Sequence, residues 1–241
     1  MKLTRTSLTL SLIVSLFQEG WRGKSMSRIL LNEGIKNIPL KGKILDLGAG
    51  KSKASYHRFL QLQKPHEIYL SDFYTQDKKS ILKINLEENF SLPDKSFDTV
   101  LCFNVLEHIF NYTKAIQEVM RILKTGGTFL GFTPFLIGYH PDPHDFFRYT
   151  QEALEKMFES EKKLELKRLV FIGFGPLCLF TEAIEGTIPK IFKPFFFLTA
   201  VLLDSVLERF SSYYRERFPL GYLFLGQKRG NLRHHSAKGS R

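Results

Sequence analysis

The segment Lys43-Ile44-Leu45-Asp46-Leu47-Gly48-Ala49-Gly50-Lys51-Ser52 decides the fold, because apolar residues alternate with charged ones and then give way to a Gly-x-Gly turn. Glycine has no side chain, so a strand that ends in such a turn brings bare backbone close to a ligand. A helix following the turn would add free N–H groups and the positive end of its dipole. We therefore expect a nucleotide-type ligand here, with an ordinary structural turn as the alternative.

The residues around the turn argue against a nicotinamide dinucleotide and a dehydrogenase. The third glycine of a Gly-x-Gly-x-x-Gly fingerprint is replaced by Lys53. Asp46, two residues before Gly48, would repel a diphosphate but suits a ligand that carries an ammonium group. S-adenosylmethionine carries both an ammonium and a sulfonium, so it fits the pattern better.

The motifs that follow come in the order that an alternating α/β fold requires. A second strand, 67–72, ends in Asp72, which lies 22 residues after Gly50. That is close to the offset at which an acid binds ribose hydroxyls, although Asp72 capping a turn is the alternative. A helix is predicted from Tyr112 to Leu123, closed by Gly126-Gly127. Further strands are predicted at 81–85, 97–103, 128–133, 166–174 and 221–227.

Four motifs in register resemble the class I S-adenosylmethionine-dependent methyltransferases, and among them the type 11 group. They are Ile44–Gly50, Ser96–Val100, Leu106–His108 and Arg121–Gly127. The resemblance covers about residues 40–150 and the last strand. It implies a doubly wound, seven-stranded Rossmann-like α/β sheet with flanking helices and an antiparallel last strand.

The resemblance also implies which residues hold the cofactor, S-adenosyl-L-methionine. Its methionine part would be surrounded by the turn residues Asp46, Gly48, Ala49 and Gly50. Its ribose would contact Asp72 and Phe73 after the second strand, and its adenine would contact Asn85 and Leu86 after the third. The edge of the cofactor would be lined by Asn104 and Val105 after the fourth strand. The family's third glycine is Ser52 here, and Asn85 stands where an acid is often found. We expect these two departures to alter contacts without abolishing binding.

A loop rich in histidine and acid follows the fifth strand and supplies the candidate catalytic residues. His144 or Asp145 could accept a proton from an acceptor hydroxyl. Alternatively, Asp145 and Arg148 only pair to hold the loop, while Thr150 caps the next helix. His108 is first a pocket residue and second a base. Histidines and acids of this region could also bind a metal, but their spacing does not require one and we expect none; the candidates are His108, His140, Asp142 and His144.

The charge of the chain lies at its ends and not on its body. The net charge of +11 divides into +6 over residues 1–43, +5 over 227–241 and none between. Nucleic-acid grooves usually show a basic stripe on the folded face, so nucleic acid is disfavoured. The two cysteines give no disulfide framework, which fits a reducing, cytoplasmic location. Residues 6–18 imitate a signal peptide but lack its cleavage site, so we expect an amphipathic helix over the cofactor site.

We expect a single domain in five parts: N-terminal helices (1–40), cofactor-binding core (41–175), helical insert (176–218), last strand (219–227) and basic tail (228–241). The insert is the unusual part. In its predicted helix Phe196, Leu203, Leu207 and Phe210 share a side. Its ten-residue uncharged run is too short to cross a bilayer. A lid, a homodimer face, or contact with a membrane surface through 188–210 each accounts for it.

Together these features predict a methyltransferase that acts on a small or lipid-like acceptor by O- or N-methylation. It would be cytoplasmic, with peripheral membrane contact as the alternative location. The rival function is a non-catalytic cofactor-binding module that docks a partner or membrane through the insert.

Overall fold

The computed structural model describes residues 3–50, 54–75, 81–211, 214 and 217–230, and it forms one sheet with helices on both faces. The strands are β1 (Leu3–Arg5), β2 (Pro39–Leu47), β3 (Gln61–Asp72), β4 (Ile81–Lys83), β5 (Phe97–Phe103), β6 (Leu123–Pro134), β7 (Leu164–Ile172) and β8 (Gly221–Lys228). The helices are α1 (Leu10–Trp21), α2 (Met26–Ile35), α3 (Tyr112–Ile122), α4 (Gln151–Ser160), α5 (Pro176–Ile184) and α6 (Lys193–Leu207). Two short 3-10 helices cover Ser55–Phe59 and Leu106–His108.

The sheet is doubly wound, as the sequence predicts. Its order is β1-β7-β8-β6-β5-β2-β3-β4, and only β8 runs antiparallel to its neighbours. The described residues hold eight strands instead of the expected seven, because β1 adds to the outer edge. There Leu3 pairs with Leu169 in parallel register. The added strand covers a row of backbone groups that β7 would otherwise leave unpaired.

Two local predictions are wrong. Helix α3 ends at Ile122, and Leu123 begins β6 directly, so Gly126 and Gly127 lie inside a strand and do not cap the helix. Gly126 has a φ of +76°. After the glycine turn, the first described helical segment is only the five-residue Ser55–Phe59. Residues 51–53, which include the substituted glycine position Ser52, lie outside the described residues, as do 231–241 of the basic tail.

The two faces of the sheet bury separate apolar cores. Helices α3 and α4 cover one face. Helices α1, α2, α5 and α6 cover the other. The predicted N-terminal helix is α1, whose first turn is capped by the Thr9 hydroxyl accepting from Leu12 N at 3.1 Å. It packs against α2 and α6. Its position is therefore on the insert and not over the cofactor site, because Leu12 and Leu16 are buried in the same apolar core as Phe197 and Val201 of α6.

The insert is helical, and one buried acid ties its two helices together. Asp204, 1% exposed, accepts from the backbone N–H groups of Leu177 (3.1 Å) and Cys178 (2.8 Å) at the start of α5. A carboxylate there also complements the positive end of the α5 dipole. Asp204 therefore faces inward, and the opposite side of α6 faces out, with Phe196 and Leu203 half exposed. Among the described residues, no helix has the length and apolar character to cross a membrane.

Candidate active site

A cavity of about 410 Å³ opens at the carboxyl ends of β2, β3 and β5, the edge at which open α/β sheets bind ligands. Seven of the ten residues predicted to hold the cofactor line it; Asp46, Ala49 and Gly50 do not. The lining residues are Gly48, Ser71, Asp72, Phe73, Tyr74, Ile84, Asn85, Leu86, Glu87, Asn104, Val105, His108, Ile109, Asp142, Pro143, His144 and Phe146. The volume falls in the usual range of small-molecule sites, roughly 300–1,000 Å³.

The glycine turn forms one end of this cavity. Gly48 and Gly50 have φ of +65° and +72°, a region that favours glycine. A Cβ on Gly48 would lie 2.6 Å from Val105 Cγ2, whereas no described atom lies within 4 Å of a Cβ on Gly50. Asp72 holds the turn, because its carboxylate accepts from Gly50 N at 3.1 Å and from Tyr74 N at 2.7 Å. Asp72 therefore caps a turn and lines the cavity at the same time.

Asp46 lies beneath the turn, fully buried and outside the cavity lining. Its Oδ2 accepts from the Tyr56 hydroxyl at 2.7 Å, and His57 Nε2 lies 2.9 Å away. Its Oδ1 has no hydrogen-bond partner among the described residues. Ala49 is likewise buried, with its N–H bonded to Ser71 O at 2.9 Å. Sequence reasoning missed Tyr56 and His57, because nothing in their spacing relates them to an acid ten residues earlier.

At the other end, the cavity is partly apolar. Leu86 is buried, and the Phe73 ring, 42% exposed, has Lys83 Nζ 5.8 Å above its centroid. Asn85 lines the cavity, but its amide is used locally: Oδ1 accepts from Glu87 N at 3.1 Å and Nδ2 donates to Glu88 at 2.8 Å. This end is therefore suited to a flat apolar ring bordered by polar groups.

A second cavity, of about 530 Å³, adjoins the first. The two share Asn104, His108 and Asp142 in their walls. The second is lined by α2, the 137–142 loop and the insert, and nine of its thirteen lining residues have polar side chains. Its other lining residues are Ser25, Ser27, Arg28, Leu31, Phe132, Ile137, His140, Pro141, Glu182 and Glu185. A ligand bound in one cavity would therefore contact a ligand bound in the other, next to the carboxyl end of β5.

The three predicted catalytic residues have different surroundings. His108 lines both cavities, and His144 is exposed and lines the first. Asp145 lines neither: its side chain is 1% exposed and pairs with Arg148 through both oxygens, one of them at 2.7 Å. These hydrogen bonds hold the pKa of Asp145 well below its usual range. A carboxylate so paired is a poor proton acceptor, and the geometry fits the loop-holding interpretation.

The capping role predicted for Thr150 is present, because its hydroxyl accepts from Ala153 N at 3.1 Å. Two charged residues near the shared wall were not predicted. Arg28, on α2, lines the second cavity, and burial lowers its pKa. Glu107 is fully buried beside His108. The Leu-Glu-His triplet was the available signal for Glu107, whereas no motif marks Arg28.

Comparison with known proteins agrees with this geometry. Residues 45–131 match the family model described as a methyltransferase domain. Over these residues, about a third of the chain, the protein is similar to the methyltransferase domain family. The matched segment carries the glycine turn, Asp72 at the end of β3, and Asn104 and His108 of the shared wall.

Curated relatives match this methyltransferase segment over short stretches. A probable S-adenosylmethionine-dependent methyltransferase of Mycolicibacterium smegmatis is 42% identical over 57 residues, 24% of this chain and 22% of the relative. A Methanocaldococcus jannaschii protein is 62% identical over 34 residues, 14% of this chain and 15% of that protein. The chain thus spans about a fifth of the length of the relatives it matches.

Solved structures with this methyltransferase fold match most of the chain. The [4+2]-cyclase SpnF aligns with a TM-score of 0.52 at 14% identity, over 84% of this chain and 81% of SpnF. Loganic acid methyltransferase with SAH aligns with a TM-score of 0.50 at 10% identity, over 93% and 92%. A Pyrococcus horikoshii protein aligns with a TM-score of 0.50 at 16% identity, over 84% and 90%. At such identities the likeness concerns the fold alone.

Proposed function

We propose that this protein is an S-adenosylmethionine-dependent methyltransferase that methylates a small or lipid-like acceptor on oxygen or nitrogen. S-adenosylmethionine supplies a methyl group activated by its sulfonium. The observation that carries the proposal is the pair of cavities that meet at Asn104, His108 and Asp142. A transferase needs two ligands whose reacting atoms touch, and this wall is where they would do so.

The residues of the first cavity fit the cofactor at both ends. Asp72 offers a carboxylate to ribose hydroxyls, and Leu86 and Phe73 offer apolar surface to adenine. Asp46 lies beneath the turn and outside the cavity lining, but its buried Oδ1 has no described donor, and an ammonium group that reached past the turn would supply one. The absence of described atoms near Gly50 leaves room for close approach to the backbone.

The second cavity fits the acceptor, and it indicates a polar reacting end. The insert contributes Glu182 and Glu185 to it, and α2 contributes Arg28. The Glu182 carboxylate accepts from Ser27 N at 3.0 Å, so the insert and α2 form one continuous wall. His108, on the boundary, is positioned to orient the acceptor. Alignment of the acceptor with the methyl supplies much of the rate in such a reaction.

Calorimetric titration with S-adenosylhomocysteine tests the cofactor site. Asp72→Asn keeps an acceptor for Gly50 N but removes the charge offered to ribose, so we expect a 10- to 100-fold weaker affinity, the equivalent of roughly 1.5–3 kcal/mol. Glu165→Gln, an exposed change on β7, is the matched control and should bind as wild type does. No binding by wild type, or equal binding by Asp72→Asn, overturns the cofactor assignment.

Turnover tests the enzyme itself. Incubation with S-adenosylmethionine and pooled metabolites or lipids should yield the demethylated cofactor only with the pool that holds the acceptor. His108→Ala should lower turnover without abolishing cofactor binding. Cofactor binding without turnover in any pool would favour a non-catalytic binding module instead.

The outward side of the insert supports a second role, docking to a membrane surface. Exposed apolar residues surround α6, and those on the helix itself share one side of it. We call this set the patch; it includes Phe180, Ile191, Phe192, Phe195, Phe196, Leu202, Leu203, Val206 and Phe210. Exposed apolar area of this extent marks an interaction site on most proteins. Lys190 lies beside the patch and would meet anionic headgroups. In this arrangement the protein is cytoplasmic and peripheral, and the alternative occupant is a second copy in a homodimer.

Co-sedimentation with vesicles distinguishes these occupants. With phosphatidylglycerol vesicles at low salt, wild type should sediment and Phe195→Ser/Phe196→Ser should remain in solution. Phe110→Ser changes a more exposed ring that contacts Phe146 and Phe147 and not the insert, and it should sediment as wild type does. Absence of vesicle binding together with a concentration-dependent dimer would assign the patch to a dimer face.

A further inference from the structure

Three side chains converge at the floor of the second cavity. Glu107 Oε1 lies 3.6 Å from His140 Nε2 and 3.8 Å from His108 Nε2. All three donor atoms lie within 4.8 Å of one another. Two of the residues are adjacent at the β5 end, and the third comes from the loop after β6, so only the fold brings them together.

The Glu107 carboxylate is the unusual member, because it is fully buried and neither of its oxygens has a hydrogen-bond partner among the described residues. An ionised carboxylate in such a place is costly unless a cation or donor compensates it. Two guanidinium groups attract this carboxylate electrostatically, but each of them also interacts with another acid. Arg148 pairs with Asp145, and Asp46 acts on Arg28.

Both histidines are oriented as metal-binding histidines are. His108 Nδ1 lies 2.5 Å from the His144 carbonyl oxygen, and His140 Nδ1 lies 2.8 Å from the Gly138 carbonyl oxygen. A carbonyl only accepts, so each Nδ1 carries a proton, and each ring is thereby oriented with Nε2 towards Glu107. Backbone carbonyls that hold the second ring nitrogen in this way are typical outer partners of metal-bound histidine.

We propose that Glu107, His108 and His140 bind a divalent transition-metal ion. Two histidines and one glutamate are the protein ligands of several catalytic zinc sites, which leave a further position open. A tetrahedral ion with bonds of about 2.0–2.1 Å needs ligand atoms roughly 3.3–3.5 Å apart. The 3.6 Å between Glu107 and His140 exceeds this slightly, and the half-buried His140 on its loop can close it. The 3.8 Å between Glu107 and His108 exceeds it by a few tenths of an ångström, and closing it requires a small rotation of either side chain.

The site differs from the set of candidates that the sequence offered. Asp142 and His144 are outside the cluster, and Glu107, which was not a candidate, is central to it. His108 and His140 line the second cavity, so the open position of the ion would face the acceptor. This last step rests on the proposed function. It makes the reacting group of the methyl acceptor a hydroxyl, whose pKa an adjacent cation would lower. The binding of the ion itself does not depend on it.

The test is titration of the tag-free, EDTA-treated full chain with Zn²⁺ alone. We expect one ion per chain with a Kd at or below about 1 μM, as suits three protein ligands. Glu107→Gln keeps the shape of the side chain and His140→Ala changes a loop residue; each should weaken binding at least 100-fold while the circular dichroism spectrum stays unchanged. A Kd above 100 μM for wild type, or unaltered binding by both variants, overturns the proposal.

Two control variants make the test specific. His144→Ala removes a histidine of the same loop that is outside the cluster, and it should retain the site. The double variant His234→Ala/His235→Ala removes the paired histidines of the tail, and it should also retain it. If either control loses the ion as fully as His140→Ala does, the assignment is wrong. A proton on His140 Nε2 would also compensate Glu107, and in that case wild type binds Zn²⁺ no better than His140→Ala.

Cobalt substitution examines the open position. Co²⁺ bound by three protein ligands should give visible absorption bands, and acetohydroxamate, a chelating oxygen donor, should shift them. Glu107→Gln should show neither the bands nor the shift. Bands that acetohydroxamate does not shift would refute the acceptor-facing position. Because no methyl donor is present, this result is separate from any failure of the methyltransferase assay.

Discussion

Replacing Gly48 by alanine tests how closely the glycine turn approaches the segment after β5. The change has two costs. At a φ of +65° an L side chain is strained by about 1–2 kcal/mol. The new Cβ would also lie 2.6 Å from Val105 Cγ2, a buried side chain that must shift, and such overpacking costs about 1–3 kcal/mol. We therefore expect Gly48→Ala to lower the free energy of unfolding by about 2–5 kcal/mol.

Gly50→Ala is the matched control, since Gly50 has a φ of +72° but no described atom within 4 Å of its Cβ. It should cost only the backbone strain, about 1–2 kcal/mol. Val105→Ala removes the atom that collides. Its effect on the free energy of unfolding should therefore be about 1–3 kcal/mol more favourable in the Gly48→Ala background than in wild type.

Urea unfolding of wild type, the three single variants and the Gly48→Ala/Val105→Ala double variant, followed by circular dichroism, measures these differences. The reasoning fails if Gly48→Ala destabilises the protein no more than Gly50→Ala, or if the Gly48 and Val105 changes are additive. Titration with S-adenosylhomocysteine adds a second readout, because the proposed function places the cofactor against the Gly50 backbone, where an added methyl group would meet it. Gly50→Ala should thus weaken cofactor binding more than its small effect on folding would suggest.

Two further predictions concern ion pairs of the described structure. Burial alone would raise the pKa of Glu118, but hydrogen bonds from Arg121 lower it below its usual value. The stability that the ionised Glu118 contributes is therefore present above about pH 4.3, and it is lost as the pH falls through the lower pKa of the folded state. Urea unfolding of Glu118→Gln should accordingly differ from wild type at pH 7 and much less at pH 3. Asp145→Asn removes the charge that binds Arg148 and should cost about 1.5–3 kcal/mol, whereas Asp142→Asn on the same loop should be neutral. Equal unfolding midpoints for the Asp145 and Asp142 variants would show that the pair does not hold the loop.

The predicted strands lie where the structure has them, because strands of an α/β sheet carry their signal locally. Phe97–Phe103 is a continuous apolar run, and its bounds match β5. The capping role of Gly126 was wrongly predicted because this residue has the positive φ of a cap, yet it serves an irregularity in β6. Whether a glycine caps a helix or bends a strand depends on the neighbour with which it pairs, and that neighbour is distant in sequence.

The candidate site also contains residues whose position the sequence predicts and residues whose position depends on distant contacts. Residues next to the strand ends, such as Asp72 and Asn104, line the first cavity as predicted, because the carboxyl ends of parallel strands share one edge. Asp145 does not line a cavity, since its carboxylate pairs with Arg148 and is buried by that pairing. Asp46 is buried because Tyr56 and His57 fold back onto it.

The sequence by itself determined where seven of the eight described strands lie along the chain, the glycine turn and the edge of the sheet at which ligands would bind, since these follow from local apolar patterning and from glycine's freedom of φ. Only the tertiary structure decided that α6 turns its acid inward and its phenylalanines outward, and that Glu107 meets His108 and His140. Such contacts join residues far apart in the chain, and their formation depends on the packing of the whole, for which no short stretch of sequence carries a signal.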